Sequence, residues 1–146
     1  MSMVDVTGKP EVVREASAIG QIRLRKETVK LISEGRVKKG DLFQVAKVAG
    51  VLAAKHTSSI VPLCHPLPLT SVKVELRIVD ETTVEAESTV KTKAQTGVEM
   101  EAITAVTAAL LTVWDMTKEY EKDAAGQYPY TEIRSIRVTN KTKEQV

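Results

Sequence analysis

Val72-Lys73-Val74-Glu75-Leu76-Arg77-Ile78, then Asp80-Glu81-Thr82, then Val84-Glu85-Ala86-Glu87-Ser88-Thr89-Val90-Lys91 is the stretch that decides the fold. Val72, Val74, Leu76 and Ile78 alternate with charged residues, which is the period of a strand with one face buried. Val84, Ala86, Ser88 and Val90 repeat the alternation after a polar turn, so the two runs form an antiparallel hairpin. Downstream, Gln95-Thr96-Gly97 breaks the strand, and Val98 to about Lys122 reads as one long helix. Its core stripe is Ala102, Val106, Ala109, Leu110, Val113 and Thr117. After a loop over residues 123–131, β-branched residues at 133, 136, 138 and 139 mark a last strand from Ile133 to Thr139, followed by a mobile tail, 141–146.

Upstream, Ala18 to Leu24 alternates, with Ile22 and Leu24 opposite Gln21 and Arg23, and predicts a short strand. Glu27 to Glu34 is helical, with Gly35 as its C′ residue. Gly40-Asp41 supplies a break and an N-cap for a second helix, running to about His56, with a stripe of Leu42, Val45, Ala46, Ala49 and Ala53. Residues 1–17 have no period and read as an N-terminal arm in need of a surface to pack on. With the first two helices taken as one crossover, the order is βαββαβ. That is the α+β, ferredoxin-like pattern: a single domain, 1–146, with an antiparallel sheet and helices on one face.

Composition excludes several classes of function. A net charge of +2 provides no global field for nucleic acid or membrane. One Trp, one Phe and three Tyr are too few for a base-stacking RNA platform. A single cysteine rules out an intrachain disulfide framework, and no basic-apolar leader or membrane-length apolar run occurs, so the expected location is the cytoplasm.

Chemistry concentrates in two places. Pro62-Leu63-Cys64-His65-Pro66-Leu67-Pro68 holds three of the five prolines, the only cysteine and one of two histidines. Proline stiffens the backbone, so His65 is presented on a fixed loop. The ordinary alternative is a connection whose leucines plug the core. Adjacent Cys64 and His65 point to opposite sides, and no second cluster completes a zinc site. On the long helix, Glu101, Thr104, Ala108, Leu111, Asp115 and Lys118 follow a 3-4-3-4-3 spacing along one ridge. Asp115 and Lys118 can share a hydrogen bond, and Leu111 and Val113 are expected to desolvate the pair. The ordinary alternative is a surface ion pair. Glu101 and Asp115 are separated by about 21 Å along the helix axis, so a ligand touching both calls for a second chain. Lys38-Lys39-Gly40-Asp41 precedes a helix N-terminus and could form a local anion site, the ordinary alternative being two solvated lysines before a helix.

These segments also resemble a known family. Met3-Val4-Asp5-Val6, Val13-Arg14-Glu15-Ala16, Lys39-Gly40-Asp41, Ala49-Gly50 with Ala53-Ala54-Lys55, the Cys-His-Pro-Leu run, Gly97-Val98-Glu99-Met100-Glu101-Ala102 and Asp115-Met116 with Lys118 match it in order and spacing. The similarity is to the cyclic pyranopterin monophosphate synthase family, molybdenum cofactor biosynthesis protein C, over residues 3 to about 123. It implies a ferredoxin-like subunit, dimers assembled into a hexamer, and sites at subunit interfaces. The implied reaction rearranges 3′,8-cyclo-7,8-dihydroguanosine 5′-triphosphate to cyclic pyranopterin monophosphate and releases diphosphate. By position, the resemblance makes Asp115 the acid/base residue, with Lys118, Lys39 and His65 as catalytic partners. Leu63, Cys64, His65, Met100 and Glu101 line the substrate, and Arg14 and Lys55 contact its phosphates. No resident cofactor or metal is expected, with Mg²⁺ entering only with the triphosphate. The reading set against this enzyme is a non-catalytic ferredoxin-like module that binds a nucleotide or pterin.

Overall fold

The computed structural model describes residues 1–144. Its elements run β1 (Val12–Arg23), α1 (Lys26–Ser33), α2 (Leu42–Lys55), α3 (Thr57–Ile60), β2 (Leu69–Asp80), β3 (Thr83–Ala94), α4 (Glu99–Glu121) and β4 (Glu132–Glu144). The sheet is antiparallel throughout, in the order β2-β3-β1-β4. This is the ferredoxin-like α+β arrangement, with both long helices on one face of the sheet.

The hairpin forms as its alternation requires. Val84, Ala86, Ser88 and Val90 are all fully buried, and Val74 and Leu76 oppose them from β2. Asp80 closes the turn by accepting a hydrogen bond from the Thr82 amide. α4 lies over β1 and β3 and buries all six residues of its expected core stripe. Ser88 sits in that apolar layer without penalty because its hydroxyl donates to the Ala102 carbonyl at 2.7 Å. Paired with Ala86 across the β1–β3 ladder, Gly20 permits the close approach of α4: a Cβ there would stand 2.8 Å from Val106 and 2.9 Å from Leu110. Gly35 takes the expected left-handed conformation at the end of α1, and the Asp41 carboxylate caps α2 through the Gln44 amide.

Four details depart from expectation. β1 begins at Val12, so residues 12–17 of the supposed arm are strand, paired with β3 from Val12↔Ala94 onward. Their side chains carry little period because Val13, Arg14 and Glu15 are all only partly buried. β4 continues to Glu144, with Val13↔Glu144 as its last pair, so residues 141–144 of the supposed tail are also strand. Residues 145–146 lie outside the described residues. The core stripe of α2 is Leu42, Ala46, Gly50 and Ala54, and Val45 faces outward at 45% exposure. Finally, the single turn α3 follows α2 where no helix was expected.

No helix among the described residues is long and apolar enough to cross a membrane.

Candidate active site

The turn 37–40 carries Lys39 to the C-terminal half of α4. Gly40 closes this turn in a left-handed conformation, φ +122°, and its amide bonds the Val37 carbonyl. Lys39 Nζ then lies 3.2 Å from Asp115 Oδ2 and 3.0 Å from the Asp115 carbonyl oxygen. Lys118, one turn further along α4, places its Nζ 3.1 Å from Asp115 Oδ1. One carboxylate thus bridges two ammonium groups. Hydrogen bonds from Lys118 and then Lys39 hold the Asp115 carboxyl below the usual aspartate range. All three side chains are exposed, between 43% and 57%. The expected desolvation by Leu111 and Val113 is therefore not present within one chain, since Val113 points into the core and Leu111 out to solvent. Exposed ion pairs contribute about 0–1 kcal/mol, so stability alone does not account for this cluster.

The second group of candidate residues gathers at the other end of α4. The proline loop packs against the helix start and is pinned to β3 by Thr92, whose hydroxyl donates to the Pro68 carbonyl at 2.6 Å. Glu101 is 3% exposed, and its Oε1 has no hydrogen-bond partner among the described residues. Burial raises its carboxyl above the usual glutamate range. Cys64 Sγ donates to Glu101 Oε2 at 3.7 Å. Burial, then the negative charge of Glu101, raise the thiol in turn, the direction that disfavours the nucleophilic thiolate.

His65 Nε2 sits 2.7 Å from the carbonyl of Val4. The arm therefore finds its packing surface on the proline loop. Val4, Val6, Leu63, Cys64, His65 and Met100 are among the walls of a cavity of about 430 Å³. Leu63 and Met100, 45% and 43% exposed, form part of its apolar wall.

Arg14 and Lys55 are less tightly tied to either group. Arg14 holds the β3–α4 connection through the carbonyls of Ala94, at 3.1 Å, and Gln95, at 3.3 Å. It also lines a smaller cavity at the start of α4 with Lys141 and Lys143. Sequence reasoning assigned nothing to those two lysines, because strand pairing alone brings the C-terminal residues beside β1. Lys55 ends α2 exposed and makes no ion pair among the described residues.

The structure thus joins Lys39, Asp115 and Lys118 at one end of α4, and Leu63, Cys64, His65, Met100 and Glu101 at the other. Nothing in a single chain closes the distance of about 21 Å between them.

The sequence profile of the MoaC family matches residues 3–144. The chain belongs to the MoaC family. Among similar proteins, one from Sulfurisphaera tokodaii is 57% identical over 97% of this chain and 93% of its own length. One from Sulfolobus acidocaldarius is 52% identical over 97% and 98%, and one from Pyrococcus abyssi 51% identical over 98% and 89%. Each of the three is named "Probable cyclic pyranopterin monophosphate synthase". The match extends beyond the residues 3–123 that carried the resemblance and takes in β4.

Proposed function

We propose that this MoaC protein is a cyclic pyranopterin monophosphate synthase, a lyase of molybdenum cofactor biosynthesis. It converts 3′,8-cyclo-7,8-dihydroguanosine 5′-triphosphate to cyclic pyranopterin monophosphate and diphosphate. The observation that carries this reading is the Lys39–Asp115–Lys118 cluster, held by direct contacts in a chain matched by the family over nearly its whole length.

The chemistry follows from the protonation states. The two ammonium groups hold Asp115 ionised, so it enters the reaction as a proton acceptor and the lysines enter as donors. Ring rearrangement needs such transfers in sequence. Closing the cyclic phosphate forms one bond from a substrate hydroxyl oxygen to phosphorus and breaks the bond to diphosphate. The hydroxyl proton passes to the site, and Lys39 and Lys118 offset charge on the departing group.

Arg14 retains N–H groups beyond its two carbonyl bonds and, with Lys55, contacts the phosphates. At the other end, Glu101 holds the N–H edge of the guanine-derived ring, and Leu63, Cys64, His65 and Met100 wall it. His65 stands beside the ring as a further proton carrier. Any Mg²⁺ arrives on the triphosphate rather than in a site of the protein.

A complete site then needs two chains. Midway between Glu101 and Asp115 on the ridge stands Ala108, small enough for a close helix contact, with Leu111 beside it at 61% exposure. A two-fold axis near Ala108 sets Glu101 of one copy beside Asp115 of the other. It also covers the outward row of α2, Val45, Val48 and Leu52. Three such dimers make the hexamer that the family resemblance implies. The single cysteine, a free thiol, suits the reducing cytoplasm in which this reading places the enzyme.

The reading is tested by incubating the protein with the cyclic triphosphate and following diphosphate release together with pterin fluorescence after oxidation. Stoichiometric appearance of both supports it. Binding without either product leaves a nucleotide- or pterin-binding module instead.

A further inference from the structure

The turn that carries Lys39 touches the last turns of α4 in three places. Two of them are ion pairs of long, exposed side chains: Lys39 with Asp115, and Lys38 with Glu119 at 3.7 Å, where the Lys38 side chain is 77% exposed. Each lysine can leave its partner by rotating about its own bonds, so neither contact fixes the backbone of the turn. The third contact differs in kind. The Tyr120 hydroxyl oxygen accepts a hydrogen bond from the backbone amide of Lys38 at 2.9 Å. Among the described residues it is the only side chain of α4 that bonds the backbone of this turn.

We infer that Tyr120 is a positioning residue for Lys39, holding the Cα of that lysine where its ammonium reaches Asp115. The ring supplies a rigid arm with few rotatable bonds, rooted on α4 five residues beyond Asp115. α4 is itself anchored at the same end. Glu121, fully buried, accepts hydrogen bonds from the Arg25 amide at 3.0 Å, from the Thr28 hydroxyl, and from the Thr131 hydroxyl at 2.7 Å. The phenol oxygen is thus fixed relative to Asp115. The next link is a backbone amide, and Lys39 follows it by one residue. Gly40, with its left-handed φ and open surroundings, cannot hold the turn by packing. Val37, 8% exposed, anchors the start of the turn by burial, and without the Tyr120 bond Lys39 keeps its charge but the backbone of the turn loses the hydrogen bond that ties it to α4 next to Asp115. A displacement of about 1 Å at a reacting group is enough to cost one to two orders of magnitude in rate.

This inference deepens the proposed reaction and relies on it for the turnover measurement alone. The experiment compares wild type, Tyr120→Phe, Lys39→Ala and the double variant. The ring stays in Tyr120→Phe and only the acceptor is lost. We expect kcat to fall about 10-fold in Tyr120→Phe, with KM changed less than kcat. In the Lys39→Ala background the same substitution should change turnover less than two-fold, because the residue it positions is gone.

A second measurement needs no substrate: the carboxyl titration of Asp115, followed by carbon NMR. The charged groups facing that carboxylate are Lys39 from the turn and Lys118 from α4, with the Lys38–Glu119 pair beside them. In Tyr120→Phe the Asp115 midpoint should move at least half of the way from the wild-type value towards that of Lys39→Ala. A midpoint unchanged from wild type, or a rate penalty of the same size with and without Lys39, overturns the assignment. Absence of turnover in wild type itself would count against the proposed reaction and leave the titration to decide the role of Tyr120.

Discussion

Lys39 Nζ and the Asp115 carboxylate stand 3.2 Å apart although 76 positions separate the two residues in the chain, and the same ammonium also reaches the Asp115 backbone carbonyl. The double contact places a loop cation over a helix ridge whose own Lys118 grips the other carboxylate oxygen. Opposite charges offset each other here at the surface, where the gain in stability is small. In the proposed reaction the arrangement holds charges of both signs ready for a polyanionic substrate.

Removing either lysine should therefore affect rate far more than folding. Lys39→Ala and Lys118→Ala are each expected to lose at least ~10²-fold in turnover. Their urea midpoints should stay close to that of wild type, since exposed ion pairs contribute about 0–1 kcal/mol. Steady-state kinetics beside urea denaturation checks this. Turnover within a few-fold of wild type in either variant would remove the cluster from the reaction.

Glu101 predicts a pH-dependent penalty. Its carboxyl titrates higher when folded than when unfolded, so the folded state binds the extra proton. Stability then declines as pH rises from the unfolded glutamate range through the folded value, and the penalty persists above it. Glu101→Gln cannot titrate. It should match wild type in stability near about pH 4 and exceed it near about pH 8, as read by thermal melting at both values. In the proposed reaction its turnover should fall steeply, since the amide keeps one acceptor oxygen but lacks the negative charge proposed to meet the N–H edge of the ring. A stability difference that does not change with pH would contradict the upward shift that burial gives this carboxyl.

The Glu121 network predicts the opposite balance. Glu121→Ala removes an acceptor shared by the Arg25 amide, Thr28 and Thr131, leaving donors buried without partners. The expected cost is about 3 kcal/mol in urea unfolding. Thr131→Val removes one donor only and should cost less. Equal stability of Glu121→Ala and wild type would mean that water replaces the carboxylate there.

Residues whose neighbours lie close in sequence were the legible ones. The hairpin was readable because Val84 to Val90 alternate over a full strand, and α4 because Ala102 to Thr117 keep one period for four turns. Asp115 and Lys118 could be paired from their spacing alone. The face of α2 was not readable. Val45 looks like core by hydropathy, but the close packing of α2 on Val74 and the Ala105 carbonyl demands Gly50, a residue with no hydropathic signal. The strand at 12–17 and the end of β4 carry no alternation to read, because Val13, Arg14 and Glu15 are all partly buried and residues 141–144 are all exposed. Lys39 meeting Asp115, His65 meeting Val4 and Tyr120 holding the Lys38 amide are tertiary contacts, for which local sequence has no code.

In the proposed reaction one site takes Glu101 from one chain and the Lys39–Asp115–Lys118 cluster from another. Mixing Lys39→Ala with Glu101→Gln, each nearly inactive alone, after unfolding and joint refolding tests it directly. In a two-fold dimer every mixed pair regenerates one intact site, so equal mixing should restore about a quarter of wild-type turnover. Activity no greater than the average of the two separate variants would contradict a site shared between chains.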